Sequence, residues 1–369
     1  MKVVFDHQIF SVQAYGGFSK YFVSLARALR ALPGVEADIV APAHVNEYLG
    51  PADAHNPLTF KMAGPRRGLR YRPRLLAPLF RLVAGAQRPD VIHETHYLLG
   101  GGHLPRGVPV MATCHDMIIE QQDDGSPRSR EAIAHKRLAF ERAGGIICIS
   151  EHTRAELLQR YPQLEAKVSV IHHGVEAVPA PATVDPPLPS AYLLFVGLRG
   201  GYKNFGTLLR AFGASPRLHR EFQLLCFGGG PLTPAELQAC AEAGIPAGRV
   251  QQRSGDEFLL AYAYRHAALL VCPSLHEGFG MPLTEAMVQG CAVACSDASC
   301  FPEICADAAA YFDPLDADAM RSTIERLLDD SAYRDAMRLR GRARAAAFSW
   351  PRCADRTAAA YARLQEHRP

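Results

Sequence analysis

Short apolar runs alternate with segments of helical period along the whole chain, and that alternation limits the fold more than any other property of the sequence. Candidate strands fall at 2–6, 37–41, 90–93, 109–114, 145–149 and 168–172, and a second series at 192–196, 222–227, 249–252, 268–272, 292–295 and 309–312. Strands separated by helices pair in parallel, with the helices covering both faces of the sheet. Between the two series, Glu176 to Pro189 is proline-rich and has no periodicity, which reads as a linker. The sequence therefore predicts an α/β protein of two doubly wound, Rossmann-like parallel-sheet domains, 1–175 and 191–350, joined by 176–190. A chain of 369 residues is long enough for both. Ligands of such sheets collect at the carboxyl ends of the strands, so the expected site is a cleft between the domains.

The stretch Ser274-Leu275-His276-Glu277-Gly278-Phe279-Gly280-Met281-Pro282-Leu283-Thr284-Glu285-Ala286-Met287 carries the densest chemistry. A strand from Ala268 to Cys272 leads into a glycine-containing loop with Glu277. Pro282 then suits the first turn of a short helix that carries Glu285 and stops near Gly290. The glycines allow close approach of backbone to a ligand, and the helix start offers unpaired N–H groups and a positive dipole end. Gly278, Phe279, Gly280, Met281, Pro282 and Leu283 are thus candidates to cradle an anion, most naturally a diphosphate. Eight residues of partly helical chain span about 12 Å at 1.5 Å each. That is too wide for the carboxylate pair of a retaining hydrolase, which stands about 5–5.5 Å apart.

This stretch resembles the glutamate-x7-glutamate motif of the retaining glycosyltransferases of family 4, which have the GT-B fold. The resemblance runs over nearly the whole chain and is strongest from Tyr192 to Asp313. It implies a metal-independent transferase with a nucleotide diphospho-sugar donor and no cofactor. Glu285 is then expected to accept both ribose hydroxyls, and Glu277 to hold sugar hydroxyls for same-face attack. It also implies that the final helix, in 351–369, crosses back to the N-terminal, acceptor-binding domain. Thr113-Cys114-His115-Asp116 matches a strand end whose histidine, here His115, lies beside the donor sugar in relatives. Gln13-Ala14-Tyr15-Gly16-Gly17-Phe18-Ser19-Lys20-Tyr21 is similar to the family's Gly-Gly-Ile-Ser-Arg-Tyr loop, with Gly16 and Gly17 at a strand-to-helix junction that suits phosphate or acceptor sugar.

In the second series, Phe195-Val196-Gly197-Leu198-Arg199-Gly200-Gly201-Tyr202-Lys203-Asn204-Phe205 is again strand, glycine loop and helix. Arg199 and Lys203 are placed to neutralise a leaving diphosphate. The family's arginine usually follows the first glycine or precedes the lysine, positions held here by Leu198 and Tyr202. Gly229, within Gly228-Gly229-Gly230, fits the loop bordering the nucleotide, and Arg253 closes the segment where relatives recognise the base. His93-Glu94-Thr95-His96 has two histidines but no further ligand spacing, and it reads as cleft lining rather than metal site. The likeness to bacterial mannosyltransferases of surface-polysaccharide assembly makes GDP-mannose the first expectation for the donor, with rhamnose and glucose donors open. The acceptor is a glycan or a lipid-linked sugar.

Composition excludes several other classes. A net charge of +3 gives no footing for nucleic acid, and no apolar run nears the roughly 18 residues a membrane span needs. Met1-Lys2-Val3-Val4-Phe5-Asp6 reads as a buried strand rather than a secretory signal. Ten cysteines without framework spacing suggest free thiols in a reducing cytosol. Within 61–88, Lys61, Arg66, Arg67, Arg70, Arg72, Arg74, Arg81 and Arg88 are interleaved with Tyr71, Leu75, Leu76, Leu79, Phe80, Leu82 and Val83, and no acid is present. Such a segment suits an anionic membrane surface or a lipid-linked pyrophosphate acceptor, hence a cytoplasmic protein peripheral on the inner membrane. Two rival functions share the fold: a non-catalytic sugar-nucleotide-binding protein and a nucleotide-sugar epimerase. The first strand lacks Gly-x-Gly-x-x-Gly, which argues against a dehydrogenase.

Overall fold

The computed structural model describes residues 1–50, 52–53, 61 and 72–366. Each series of apolar runs forms its own sheet. In the first, β1 (Lys2–Phe5), β2 (Glu36–Ile39), β3 (Val91–Glu94), β4 (Val110–Cys114), β5 (Gly145–Cys148) and β6 (Val168–Val170) lie in the order β2-β1-β3-β4-β5-β6, all parallel. In the second, β7 (Tyr192–Val196), β8 (Gln223–Phe227), β9 (Val250–Arg253), β10 (Leu269–Cys272), β11 (Val293–Ser296) and β12 (Ala310–Phe312) lie in the order β12-β11-β10-β7-β8-β9, again all parallel. The expected doubly wound α/β architecture holds, with strand ends moved by one or two residues. Winding reverses beside β1 and beside β7, so each sheet has a switch point where loops diverge from two adjacent carboxyl ends.

The chain divides into two compact units, Met1–Gly174 with Trp350–Pro369 and Val175–Ser349. The proline-rich stretch falls within the second unit and the last helix within the first. That helix, Trp350–Glu366, packs on the helix Gly17–Arg30. Tyr21, Phe22, Leu25, Ala26 and Leu29 recur at helical spacing on the buried face of Gly17–Arg30. They share a core with Phe5, Trp350, Cys353, Ala354 and Tyr361. The second unit's core joins Leu193, Phe195, Leu224, Leu269 and Val271 from the strands to Leu208, Phe212 and Ile324 from the covering helices. All ten cysteines are free and buried, and burial pushes the thiols of Cys226, Cys272, Cys291 and Cys353 up to about 12, which keeps them protonated.

Part of the basic stretch, Arg66, Arg67 and Arg70, lies outside the described residues. The helix Arg72–Ala86 follows, with Leu75 and Leu82 77% and 71% exposed. Its charges are not unopposed as the sequence suggested. Arg74 pairs with Glu131 at 2.7 Å, Lys61 pairs with Glu47, and Arg81 donates to the Gly102 carbonyl. Among the described residues no helix is long and apolar enough to cross a membrane.

Gly174 lies where the last helix begins. A Cβ there would stand 2.4 Å from the Trp350 backbone nitrogen and 2.6 Å from its Cα, and a helix start cannot yield like a flexible side chain. Gly174→Ala is expected to lower the stability of the first unit by about 1–3 kcal/mol. Trp350 is the chain's one tryptophan, so denaturant unfolding followed by its fluorescence checks this.

Candidate active site

The second unit places its charged residues at the switch point between β7 and β10. After β7 the chain passes Gly197 and Arg199 into the short turn Gly201–Lys203. Asn204 follows in the left-handed region at φ +55°, and its amide donates to the carbonyls of Pro273 (3.0 Å) and Pro314 (2.7 Å). The Lys203 turn is thereby tied to the loop after β10, as it also is by Leu275 N–H donating to Tyr202 O at 2.8 Å.

Lys203 and Glu277 meet there. The ammonium donates to Glu277 Oε1 at 2.6 Å, and both side chains are 13% exposed. Burial alone would lower the Lys203 pKa, but the Glu277 carboxylate outweighs it and holds the lysine above its usual range, hence charged. Ser274 Oγ donates to the same carboxylate oxygen at 2.8 Å. Ser299, itself at φ +55°, accepts from Glu277 N–H at 3.0 Å and donates to Glu277 O at 3.1 Å. Glu277 is thus held by its side chain and by its own peptide groups.

The expected helix runs Met281–Val288, with Gly280 before it and Pro282 in its first turn. Phe279 and Leu283 are buried, Phe279 edge-on to Phe348 at 5.5 Å, so these two residues can offer a ligand only backbone. Glu285 accepts a 3.0 Å hydrogen bond from the hydroxyl of buried Tyr264, on the helix Glu257–His266.

The placement of Arg199 differs from the expectation. Its guanidinium is internal, held by Glu236 and by loop carbonyls, so it does not stand free to meet a diphosphate as the sequence suggested. Spacing could not reveal this, because the partners lie some thirty residues further along the chain. Gly229 sits among those carbonyls, and Arg253, at the end of β9, donates to Pro187 O at 3.3 Å. Tyr264, Ser299 and Asn204 were missed by sequence reasoning. A tyrosine at helical spacing reads as core, and a serine or asparagine in a loop reads as a turn.

In the first unit, Gly16 and Gly17 open the helix Gly17–Arg30, and the strand-end histidines gather at the carboxyl ends of β3 and β4. His115 stacks on Phe18 at 4.0 Å with Tyr21 and Phe22 edge-on, and neither ring nitrogen has a hydrogen-bond partner among the described residues. Burial first, then neighbouring His173, holds its pKa well below the usual value, so it is neutral. Asp116, the next residue, makes no hydrogen bond to it, and its carboxylate accepts from Ile118 N–H at 3.1 Å. His93 bonds Tyr361 Oη (2.6 Å) and Thr113 Oγ1 (2.7 Å) and belongs to the core. Asp6, Glu94 and His103 bring ligand atoms within 4.8 Å of one another. The Gln8 amide nitrogen nevertheless fills the middle of that group, 2.6 Å from Asp6 and 3.1 Å from Glu94, while Arg142 pairs with Glu94.

A glycine-lined switch point with a lysine–glutamate pair, beside a helix that carries a second glutamate, is arranged to take a polar, anionic ligand. Sequence comparison defines the class of protein. Residues 15–178 match Glycosyltransferase Family 4 and residues 182–344 match Glycosyl transferases group 1, and the chain belongs to this family of GT-B glycosyltransferases. Among characterised proteins it is 31% identical over 302 residues to the O-antigen chain mannosyltransferase B of Escherichia coli, covering 78% of each chain. It is 27% identical over 305 residues to the serotype-specific mannosyltransferase WbdA of Escherichia coli, covering 75% of this chain but 37% of that protein. Its fold is shared with sucrose-phosphate synthase from Thermosynechococcus elongatus (TM-score 0.78, 21% identity, 98% of each chain). It is likewise shared with the lipopolysaccharide glycosyltransferase WaaG (TM-score 0.73, 16% identity, 96% and 98% of the two chains).

The histidines of the first unit give its stability a defined pH dependence. Burial lowers the pKa of His93 and of His173 from 6.5 to about 3. The unfolded chain takes up these protons below pH 6.5 and the folded one only near 3. The stabilisation is therefore complete above 6.5 and is lost as pH falls toward 3, by about 2 kcal/mol per histidine at pH 5. Denaturation midpoints from Trp350 fluorescence should fall steeply from pH 7 to 5, and a flat profile would contradict the assignment.

Proposed function

We propose that this glycosyltransferase is retaining, and that it moves mannose from GDP-mannose to a glycan or lipid-linked acceptor during surface-polysaccharide assembly. The Lys203–Glu277 pair is the observation that carries the reading. In the unliganded chain the two neutralise each other. A donor divides them: the ammonium turns to the diphosphate and the carboxylate to the hydroxyls of the sugar. As the bond from anomeric carbon to diphosphate oxygen breaks, Lys203 and the start of the helix Met281–Val288 stabilise the charge growing on the diphosphate. The acceptor oxygen attacks from the same face, and its proton passes to a departing diphosphate oxygen. Glu285, oriented by Tyr264, takes the ribose hydroxyls. The Lys203 ammonium and the N–H groups at the helix start serve the diphosphate, so no divalent metal or other cofactor is needed. In the first unit, the unpartnered nitrogens of His115 suit a sugar hydroxyl, and the Gly16-Gly17 junction suits the acceptor or a phosphate.

The two mannosyltransferase relatives support mannose, and the O-antigen chain on which the first is named to act supports a polysaccharide acceptor. A thermal-shift screen of GDP-, UDP-, dTDP- and ADP-sugars tests the donor, because a ligand of the folded state raises its melting temperature. Transfer to acceptor separates a transferase from a binding protein, and isomerised free donor without acceptor would indicate an epimerase. In the transfer assay, Glu285→Ala should mainly raise the donor KM, losing charge-assisted hydrogen bonds of about 1.5–3 kcal/mol each. Glu277→Ala should lower kcat more than it raises KM, since sugar geometry and charge change on the way to the transition state. EDTA should leave the wild-type rate unchanged. A Glu277→Ala enzyme with wild-type kcat would refute the division of roles.

Membrane attachment belongs to the same reading. The exposed Leu75 and Leu82 lie on one side of the helix Arg72–Ala86 with Arg74 and Arg81, a face suited to the interface of an anionic bilayer. Leu75→Ser with Leu82→Ser should abolish co-sedimentation with vesicles containing anionic lipid. Equal binding by wild type and variant, or binding indifferent to lipid charge and to salt, would remove this part of the proposal.

A further inference from the structure

Arg199 stands two residues beyond Gly197 in the loop after β7, yet its side chain is 2% exposed. Nε donates to Glu236 Oε1 at 2.7 Å and Nη1 to Gly228 O at 3.1 Å. Nη2 reaches Gly230 O and Pro231 O at 3.0 Å each, and Gly229 O and Glu236 Oε2 at 3.5 and 3.3 Å. Four successive carbonyls converge on one guanidinium. A trans peptide is planar, so the N–H of each residue points opposite to the preceding C=O. Turning the carbonyls of Gly228, Gly229 and Pro231 toward Arg199 therefore turns the N–H groups of Gly229, Gly230 and Leu232 away from it. Gly228, Gly229 and Gly230 have φ of +90°, +71° and +73°, a run that only glycine adopts without strain. Successive N–H groups presented in this way form an anion-accepting concavity.

That concavity adjoins Lys203. A Cβ built on Gly229 would lie 2.9 Å from Gly197 O, and one built on Gly197 would lie 3.7 Å from Lys203 Nζ. Glu236 fixes the other side of Arg199. It also completes a capping box with Thr233 at the start of the helix Pro234–Glu242. Burial pushes the Glu236 carboxyl up, but the hydrogen bonds from Arg199 and Thr233 outweigh this and hold it below its usual range. The charge of Arg199 is accordingly neutralised before any ligand arrives.

We propose that Arg199 and Glu236 are positioning residues, which hold Gly228–Pro231 so that its outward N–H groups join the Lys203 ammonium in receiving the donor's diphosphate. The inference rests on the nucleotide-sugar reading and adds to it that Arg199 acts through the loop and not on the phosphates. The two alternatives differ in sign at Glu236. If Arg199 touched the diphosphate, removing the neighbouring carboxylate would strengthen its pull; if Arg199 shapes the loop, removing its anchor weakens binding.

Calorimetric titration with whichever of GDP, UDP, dTDP or ADP stabilises the wild-type chain decides between them, after melting curves show that each variant is folded. Glu236→Gln, which can still cap its helix, should weaken the nucleoside diphosphate about ten-fold. Arg199→Lys should weaken it about as much although the charge is kept, because an ammonium cannot gather four carbonyls. In turnover assays of both variants the acceptor KM should stay at its wild-type value, which general loosening of the fold would not leave untouched. Tighter or unchanged binding by Glu236→Gln, or full affinity in Arg199→Lys, overturns the proposal. If either variant fails to fold, Gly229→Ala decides: its Cβ would stand 2.9 Å from Arg199 Nη1 and from Gly197 O, which disturbs the loop while both charges of the pair are kept, and unchanged affinity would show that the loop does not serve the ligand. A wild-type chain that binds none of the four nucleotides ends the functional reading and this inference together. Wild-type binding that survives all three substitutions ends the inference alone.

Discussion

A parallel sheet with helices on both faces has only its strand ends open to a ligand, and this constraint arranges everything else in the chain. Side chains within the strands are consumed in the core: β3, β4, β5, β10 and β11 are buried along their whole length. Chemistry is left to the loops beyond the carboxyl ends, and chiefly to the switch point, where the loops after β7 and β10 turn to opposite faces. Lys203 comes from one of these loops and Glu277 from the other. Neither segment alone makes a site.

Removal from water then sets how the charges are arranged. A buried ion is tolerated only beside its counter-charge or a set of hydrogen bonds. Lys203 has Glu277, Arg199 has Glu236 and Arg142 has Glu94. Only a pair that a ligand can divide is of use in catalysis. Arg199 is anchored on two sides and by six hydrogen bonds, whereas Lys203 meets one carboxylate. On the proposed reading, what separates a cation that holds structure from one that can meet a ligand is the number of partners it would have to leave.

Period and punctuation were enough to read the architecture from sequence. Twelve short apolar runs separated by helices gave both sheets, and Pro282 with Gly290 bracketed the motif helix to within a residue or two. The family resemblance pointed to Glu277, Glu285 and Lys203 because their loop contexts are local. Arg199 was harder, since whether an arginine in a glycine loop faces ligand or protein depends on Glu236 and on carbonyls near residue 230. Tyr264 and Ser299 were illegible for the same reason: their meaning lies in a contact with a distant segment. The basic stretch was overread, because Glu131 and Glu47 answer two of its charges from outside it.

The last helix belongs to the first unit, and this has a consequence for how the chain matures during synthesis. His93 takes its second hydrogen bond from Tyr361, and Trp350, Cys353 and Ala354 complete the core beneath β1. A ribosome delivers residues 175–349 before those side chains exist outside the exit tunnel. The earlier unit therefore waits with part of its apolar interior uncovered until Trp350–Glu366 has followed the whole of the later unit out of the ribosome.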